Sequence, residues 1–150
     1  MKKSIIFLNG ENVGLVGISP EYYQNIQEAI KISVPEGCVF NLIEGDPDID
    51  LNFLGALKGF LSDDKINFKY DIQKAKEIWL NQYRRVRTPL IEKLDLEYMR
   101  ADEQGNLELK KEIASKKQAL RDVTKTELPN TLEEIKATWP EILGQNPFNK

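Results

Sequence analysis

The stretch that decides the fold reads Asp71-Ile72-Gln73-Lys74-Ala75-Lys76-Glu77-Ile78-Trp79-Leu80-Asn81-Gln82-Tyr83-Arg84-Arg85-Val86-Arg87-Thr88-Pro89-Leu90-Ile91-Glu92-Lys93-Leu94. Ile72, Ala75, Trp79, Tyr83, Val86, Leu90 and Leu94 recur every three or four positions, which is the period of one face of an α-helix. Pro89 lies inside this stripe and predicts a kink, because it removes one backbone donor and crowds the carbonyl four residues earlier. Trp79 and Tyr83 sit in the stripe and read as core.

Downstream, Asp102 to Gly105 is a polar turn, and a second amphipathic helix is predicted from Leu107 to Val123, with Leu109, Ile113, Lys116 or Lys117, and Leu120 on one face. Two such helices joined by a short Gly-containing link predict an antiparallel helical hairpin. Leu128-Pro129 ends it. Thr131-Leu132-Glu133-Glu134 has the spacing of a capping box for a short third helix carrying Leu132, Ile135 and Trp139 and stopped by Pro140. Gly144 to Lys150 is expected to be loose.

Upstream of Tyr70 the chain is punctuated by Gly, Pro, Asn and Asp. Ser4–Leu8 and Val13–Ile18 flank Asn9-Gly10-Glu11-Asn12 and predict a β-hairpin. Ser19-Pro20 offers a helix start, and Tyr22, Tyr23, Ile26, Ala29 and Ile30 carry a helical period from Pro20 to about Ile32. Pro35-Glu36-Gly37 breaks that helix. Cys38–Ile43 is predicted as a strand, Gly45–Asp50 as a loop, Leu51–Leu61 as a short helix and Ile66–Tyr70 as a last strand. The expected class is α+β, with residues 1–70 forming a small α+β lobe for partner specificity and residues 71–150 a helical-hairpin module.

Composition narrows the function. Of 150 residues, 41% are apolar and 30% charged, which suits a folded globular chain rather than a disordered or membrane-spanning one. The apolar run Ile5–Leu8 ends at Asn9, too soon for a signal peptide, so the chain is expected to stay in the cytosol where it is made. There is no histidine, which excludes Ser-His-Asp, Cys-His and His-metal chemistry. The single cysteine, Cys38, permits neither an internal disulfide nor a thiolate metal cluster and reads as a small buried apolar residue. The formal charge is −3, and neither half has the basic excess of a nucleic-acid binder.

Candidate chemistry is sparse. Asp46-Pro47-Asp48-Ile49-Asp50 starts like a calcium loop, but Leu51 and Leu57 occupy the positions where such a loop needs Gly and Glu, so a solvated acidic loop is expected. Gly10, Gly14 and Gly17 fit no phosphate-binding spacing and read as turn and strand glycines. The acid pairs Asp63-Asp64, Asp102-Glu103 and Glu133-Glu134 read as solvated. Arg84-Arg85-Val86-Arg87 is a basic cluster able to contact an acidic partner, or else a solvated face with Glu92 and Asp95 as partners. No catalytic residue, metal ligand or cofactor is expected.

The order of segments carries more. Arg84-Arg85-Val86-Arg87-Thr88-Pro89-Leu90-Ile91-Glu92-Lys93-Leu94-Asp95 is followed by Tyr98-Met99-Arg100-Ala101, then by Ile113-Ala114-Ser115-Lys116-Lys117-Gln118-Ala119-Leu120-Arg121-Asp122-Val123, and finally by Trp139-Pro140. Over about residues 71–143 this resembles the bacteriophage tail-assembly chaperone family, also found as the C-terminal module of tail-fibre assembly proteins. Gln118–Asp122 is the most specific part, and Lys117 stands where that family often has Arg. Residues 1–70 resemble nothing recognised. The resemblance implies a non-catalytic helper that binds a tail-fibre or other tail protein in the host cytoplasm while it folds or assembles, and then leaves or stays in the virion. Self-association is compatible with it; nucleic acid and membrane are not expected partners. The residues it singles out for partner binding are Arg84, Arg87, Leu120, Arg121, Asp122, Trp139 and Pro140, with Arg121 and Asp122 equally able to brace the hairpin. The rival readings are a virion structural subunit and, more remotely, a carboxylate enzyme at Asp46, Asp48 and Asp50.

Overall fold

A computed structural model describes residues 2–45 and 47–148 of the chain. It is an α+β protein made of two compact units, Met1–Asp71 and Ile72–Lys150.

In the first unit, β1 (Lys3–Asn9) and β2 (Asn12–Ile18) form the expected hairpin. Asn9 pairs with Asn12, so Gly10-Glu11 is the two-residue loop. Gly10 takes φ 65° at the first central position, where a left-handed backbone matches the twist of the strands and glycine adopts it freely. β3 (Val39–Glu44) pairs antiparallel with the other side of β1, giving the order β2-β1-β3. α1 (Ile26–Ser33) covers one face of this sheet: Ile5, Ile18 and Ala29 are buried together, with Tyr22, Tyr23, Ile26, Ile30 and Val34 packed around them.

The helix expected from Pro20 begins later. Pro20–Tyr22 is a 3-10 turn without a side-chain cap from Ser19. The real cap is Asn25, whose Oδ1 accepts from Glu28 N at 3.4 Å while its Nδ2 donates to Glu28 Oε2 at 2.9 Å. The first bond satisfies one orphan backbone donor at the helix start, and the second, between side chains, steadies the cap.

The stretch Leu51–Leu61 is not one helix. Leu51–Ala56 is a 3-10 segment started by Asp50, whose carboxylate accepts from Asn52 N at 3.0 Å. Leu57–Ser62 is a strand, β4, paired antiparallel with β5 (Lys65–Tyr70). The Asp63-Asp64 turn between them has φ 51° and 60°, a left-handed pair that Asp tolerates better than most residues. The β4–β5 hairpin covers the other face of the sheet, where Ile6, Leu8 and Ile66 are buried with Val13, Ile43 and Phe68 against them. Gly59 makes this close: a Cβ there would lie 2.1 Å from Leu8 Cδ2 and 2.6 Å from Val13 Cγ2. Each buried aliphatic or aromatic side chain contributes roughly 1.5–3 kcal/mol of transfer free energy, so these two small clusters help to hold the unit, with Phe53, Ala56 and Leu57 buried besides.

In the second unit α2 (Ile72–Glu103) runs as a single helix through Pro89. Next to the proline, Thr88 Oγ1 donates back to Arg84 O at 2.8 Å. Gly105, at φ 66°, turns the chain, and Asn106 caps α3 (Leu107–Asp122) by accepting from Leu109 N at 3.1 Å. α2 and α3 pack as the expected hairpin, burying Ala101, Ile113 and Leu120. Val123–Lys125 adds a 3-10 turn. Thr131 caps α4 (Leu132–Ala137), accepting from Glu134 N at 3.3 Å. Trp139 lies beyond this helix rather than on it, because α4 ends at Ala137 and Thr138 is its extended cap.

The tail expected to be loose is packed through Phe148. Glu141–Leu143 is a 3-10 turn that buries Leu143, and Trp139 Nε1 donates to Gly144 O at 3.0 Å. Asp46 of the acidic loop, and Asn149 and Lys150 of the tail, lie outside the described residues.

Candidate partner-binding site

The helical unit has two places where the singled-out residues meet. The first is where α3 ends beside α2. Arg87 leaves α2 and its Nη1 donates to Arg121 O at 2.9 Å and Thr124 Oγ1 at 3.3 Å. The last carbonyls of a helix have no intrahelical donor and carry partial negative charge, so a guanidinium is well placed there. Asp122 stands beside it, accepting from Gln118 Nε2 at 3.0 Å and pairing with Lys125 at 2.8 Å. The Lys125 ammonium and then Gln118 hold its carboxyl below the usual carboxylate range. Arg121 itself is exposed, and its contribution to the brace is its backbone carbonyl. Leu120, only 2% exposed, is hairpin core and cannot reach a partner while the hairpin is closed.

Arg84 does not join this group. It is exposed, and its Nη1 turns back to Asn81 Oδ1 at 2.5 Å, as Arg85 turns to Gln82 Oε1 at 3.2 Å. Of the acids expected to balance the basic cluster, Asp95 pairs instead with Lys117 on α3.

The second place is an aromatic cluster. Trp79 and Tyr83 are fully buried. Trp139 packs edge-on to both, with centroids 5.9 Å from Trp79 and 5.2 Å from Tyr83. Phe148 lies 5.9 Å from Trp79 and from Trp139. Edge-to-face rings at these separations attract beyond their burial alone. Both polar handles converge on one acceptor: Trp79 Nε1 donates to Thr138 O at 3.0 Å, and Tyr83 Oη donates to the same oxygen. Burial pushes the Tyr83 phenol above the ordinary tyrosine value. Pro140 fixes the exit from this cluster and accepts from Leu143 N at 3.1 Å. Trp139 and Pro140 are partly buried, so each keeps an exposed edge.

Sequence reasoning missed a third cluster near the hairpin bend. Lys110 and Lys117 place their ammoniums 5.3 and 5.4 Å from the centre of the Tyr98 ring. Asp102 pairs with Lys110 and raises its pKa, and Asp95 pairs with Lys117. The legible signal was Lys117 itself, a charge at a position the α3 stripe would give to an apolar residue. Its side chain is only 17% exposed because the aliphatic stem packs while the charge finds its partners.

In the acidic loop, the Asp50 carboxylate is spent on Asn52, and among the described residues no three acids, cysteines or histidines come together as metal ligands. No helix among the described residues is long and apolar enough to cross a membrane. The chain matches no protein-family model, no curated protein and no solved structure.

Proposed function

We propose that the chain is a phage tail-fibre or tail assembly chaperone, binding a tail protein in the host cytoplasm while that protein folds or assembles. One observation supports the reading most: segments that resemble the family, though scattered along the sequence, pack as one piece. Arg87 of the first segment binds the carbonyl of Arg121 in the third. Ala101, from the second, is buried at the bend. Trp139 of the last segment packs on Tyr83, the residue just ahead of the first segment. The reading assigns Arg84, the exposed side of Arg121, Trp139 and Pro140 to partner contact. Arg87, Leu120 and Asp122 support them from within.

Physics favours such a role for a protein of this kind. Trimeric fibres expose apolar surface and unpaired strands before they assemble, and a partner that covers them lowers aggregation. The test is co-expression with the fibre or tail protein encoded beside this chain. Soluble fibre that depends on this protein, in a complex that survives gel filtration, is the expected result. Unchanged fibre solubility with nothing co-purifying would sink the proposal. If the complex forms, mass analysis of mature particles separates a helper that leaves from a structural subunit present in stoichiometric copies.

A further inference from the structure

Beyond Gly144 the chain is held by different means from the turn before it. Leu143 N donates to Pro140 O at 3.1 Å, Gly144 N donates to Glu141 O at 2.9 Å, and Gly144 O accepts from Trp139 Nε1 at 3.0 Å. From Gln145 to Phe148 the one hydrogen bond among the described residues is local, from Phe148 N to Asn146 Oδ1 at 2.9 Å. A turn of this kind shapes a segment without fastening it to the rest of the fold. The fastening is apolar and centres on one ring: Phe148 packs edge-on against Trp79 and Trp139, its plane at 65° and 64° to theirs. Gln145 and Pro147 are exposed. Gly144 joins the two stretches at φ 78° and ψ −153°, backbone that glycine adopts without strain and leaves just as freely. A segment fastened by one partly buried ring, with no hydrogen bond to its surroundings, opens well before the whole unit unfolds.

Phe148 covers part of a residue with another use. Trp139 is assigned to partner contact above, yet the side of its ring toward Phe148 is occupied, and centroids 5.9 Å apart leave no room for a further ring between them. Another polypeptide reaches that side only by taking the place of Phe148. The seated residue shows what the place accepts: an aromatic side chain, edge-on to two indoles, carried on a short polar segment. We propose that residues 145–148 are a releasable strap hinged at Gly144, and that Phe148 is a plug withholding an aromatic-binding socket at Trp79 and Trp139 until an aromatic side chain of another polypeptide displaces it. The consequence is selectivity. A tether this short holds its ring at an effective concentration of roughly millimolar, so a chain that offers one aromatic side chain and nothing else loses the competition. One that also engages Pro140 and the exposed side of Arg121 wins it. This rests on the chaperone reading only for the identity of that chain, the tail protein.

The probe is the acetylated and amidated peptide Gly-Gln-Asn-Pro-Phe, the sequence of residues 144–148, with a para-fluorinated ring followed by fluorine NMR. It is titrated into the whole chain, unaltered and with Phe148→Ala. Saturable binding to the variant is expected, with an affinity at least about tenfold weaker for the unaltered chain, whose own ring competes. The chain has two tryptophans, hence two indole N–H signals that place the event. Both should move in Phe148→Ala and return toward their original positions as the peptide binds. A peptide ending in alanine should leave them unmoved. No saturable binding to the variant, binding that does not return the indole signals, or equal affinity for both proteins overturns the inference. Hydrogen exchange on the unaltered chain tests the strap without any variant. The Phe148 amide should be at least about tenfold less protected than the Leu143 amide, and equal protection, meaning that the strap opens only together with the turn before it, also overturns the inference. Peptide binding as expected with no fibre rescued on co-expression would sink the chaperone reading and leave the plug standing.

Discussion

Replacing Tyr83 by phenylalanine removes one oxygen atom from the inside of the helical unit and nothing else. The lost bond runs to Thr138 O, which keeps Trp79 Nε1 as a donor at 3.0 Å. No acceptor is orphaned, so the cost should be that of one net hydrogen bond, about 1 kcal/mol. Trp79→Phe also removes one donor and leaves a smaller ring in a fully buried site, for roughly 2–3 kcal/mol. The double variant differs in kind, because Thr138 O then loses both donors. Leaving that carbonyl without a partner adds roughly 1–2 kcal/mol beyond the two single costs. The assay is urea unfolding of the four proteins followed by far-UV circular dichroism, which reads the helices without depending on the altered tryptophan. The shared-acceptor argument is refuted if the single costs add within about 0.5 kcal/mol in the double variant.

Further outcomes follow from other positions. Pro89→Ala restores a donor within α2 and should stabilise the unit by ~1–3 kcal/mol, read as a higher urea midpoint; a lower one would mean the proline shapes a contact. Changing Asp63-Asp64 to Asn-Gly suits the left-handed turn and should gain about 0.5–1 kcal/mol, visible in the melting temperature. Gly59→Val should destabilise the first unit by about 2 kcal/mol or more, since Leu8 and Val13 already occupy the space; near-neutral unfolding would contradict that packing. Because the folded Tyr83 pKa lies above its ordinary value of 10.0, its contribution is complete below that pH and is lost as pH rises through the folded pKa. Alkaline titration of phenolate absorbance should show one late-ionising tyrosine, absent in Tyr83→Phe.

The helical half was legible because its signals are local. The stripe from Ile72 to Leu94, the Gly105 turn and the Thr131 cap each sit within a few residues of what they determine. The β4–β5 hairpin was not, since its turn is Asp-Asp rather than Asn-Gly and its strand contains Gly59, which reads as a breaker until Leu8 is seen filling its place. The late start of α1 was missed because only Ser19-Pro20 was read as a helix start, whereas the side chain that caps the helix is that of Asn25. Among the candidate site residues, the pairing of Arg87 with Arg121 spans two helices, and no periodicity encodes it. The convergence of Trp79 and Tyr83 on one backbone oxygen was invisible for the same reason, and so was the packing of Phe148, which came from a tail with no helical or strand period.

The aromatic cluster also sets an order of events during synthesis. Every contact inside the first unit is available once residue 71 has been made. Trp79 must wait for Thr138, 59 residues later, which at ~5–20 residues per second is roughly 3–12 s of translation. Throughout that interval the indole and phenol faces of α2 stay uncovered on a nascent chain whose earlier half can already be folded. Clipping the chain ahead of Thr138 would make that transient state permanent.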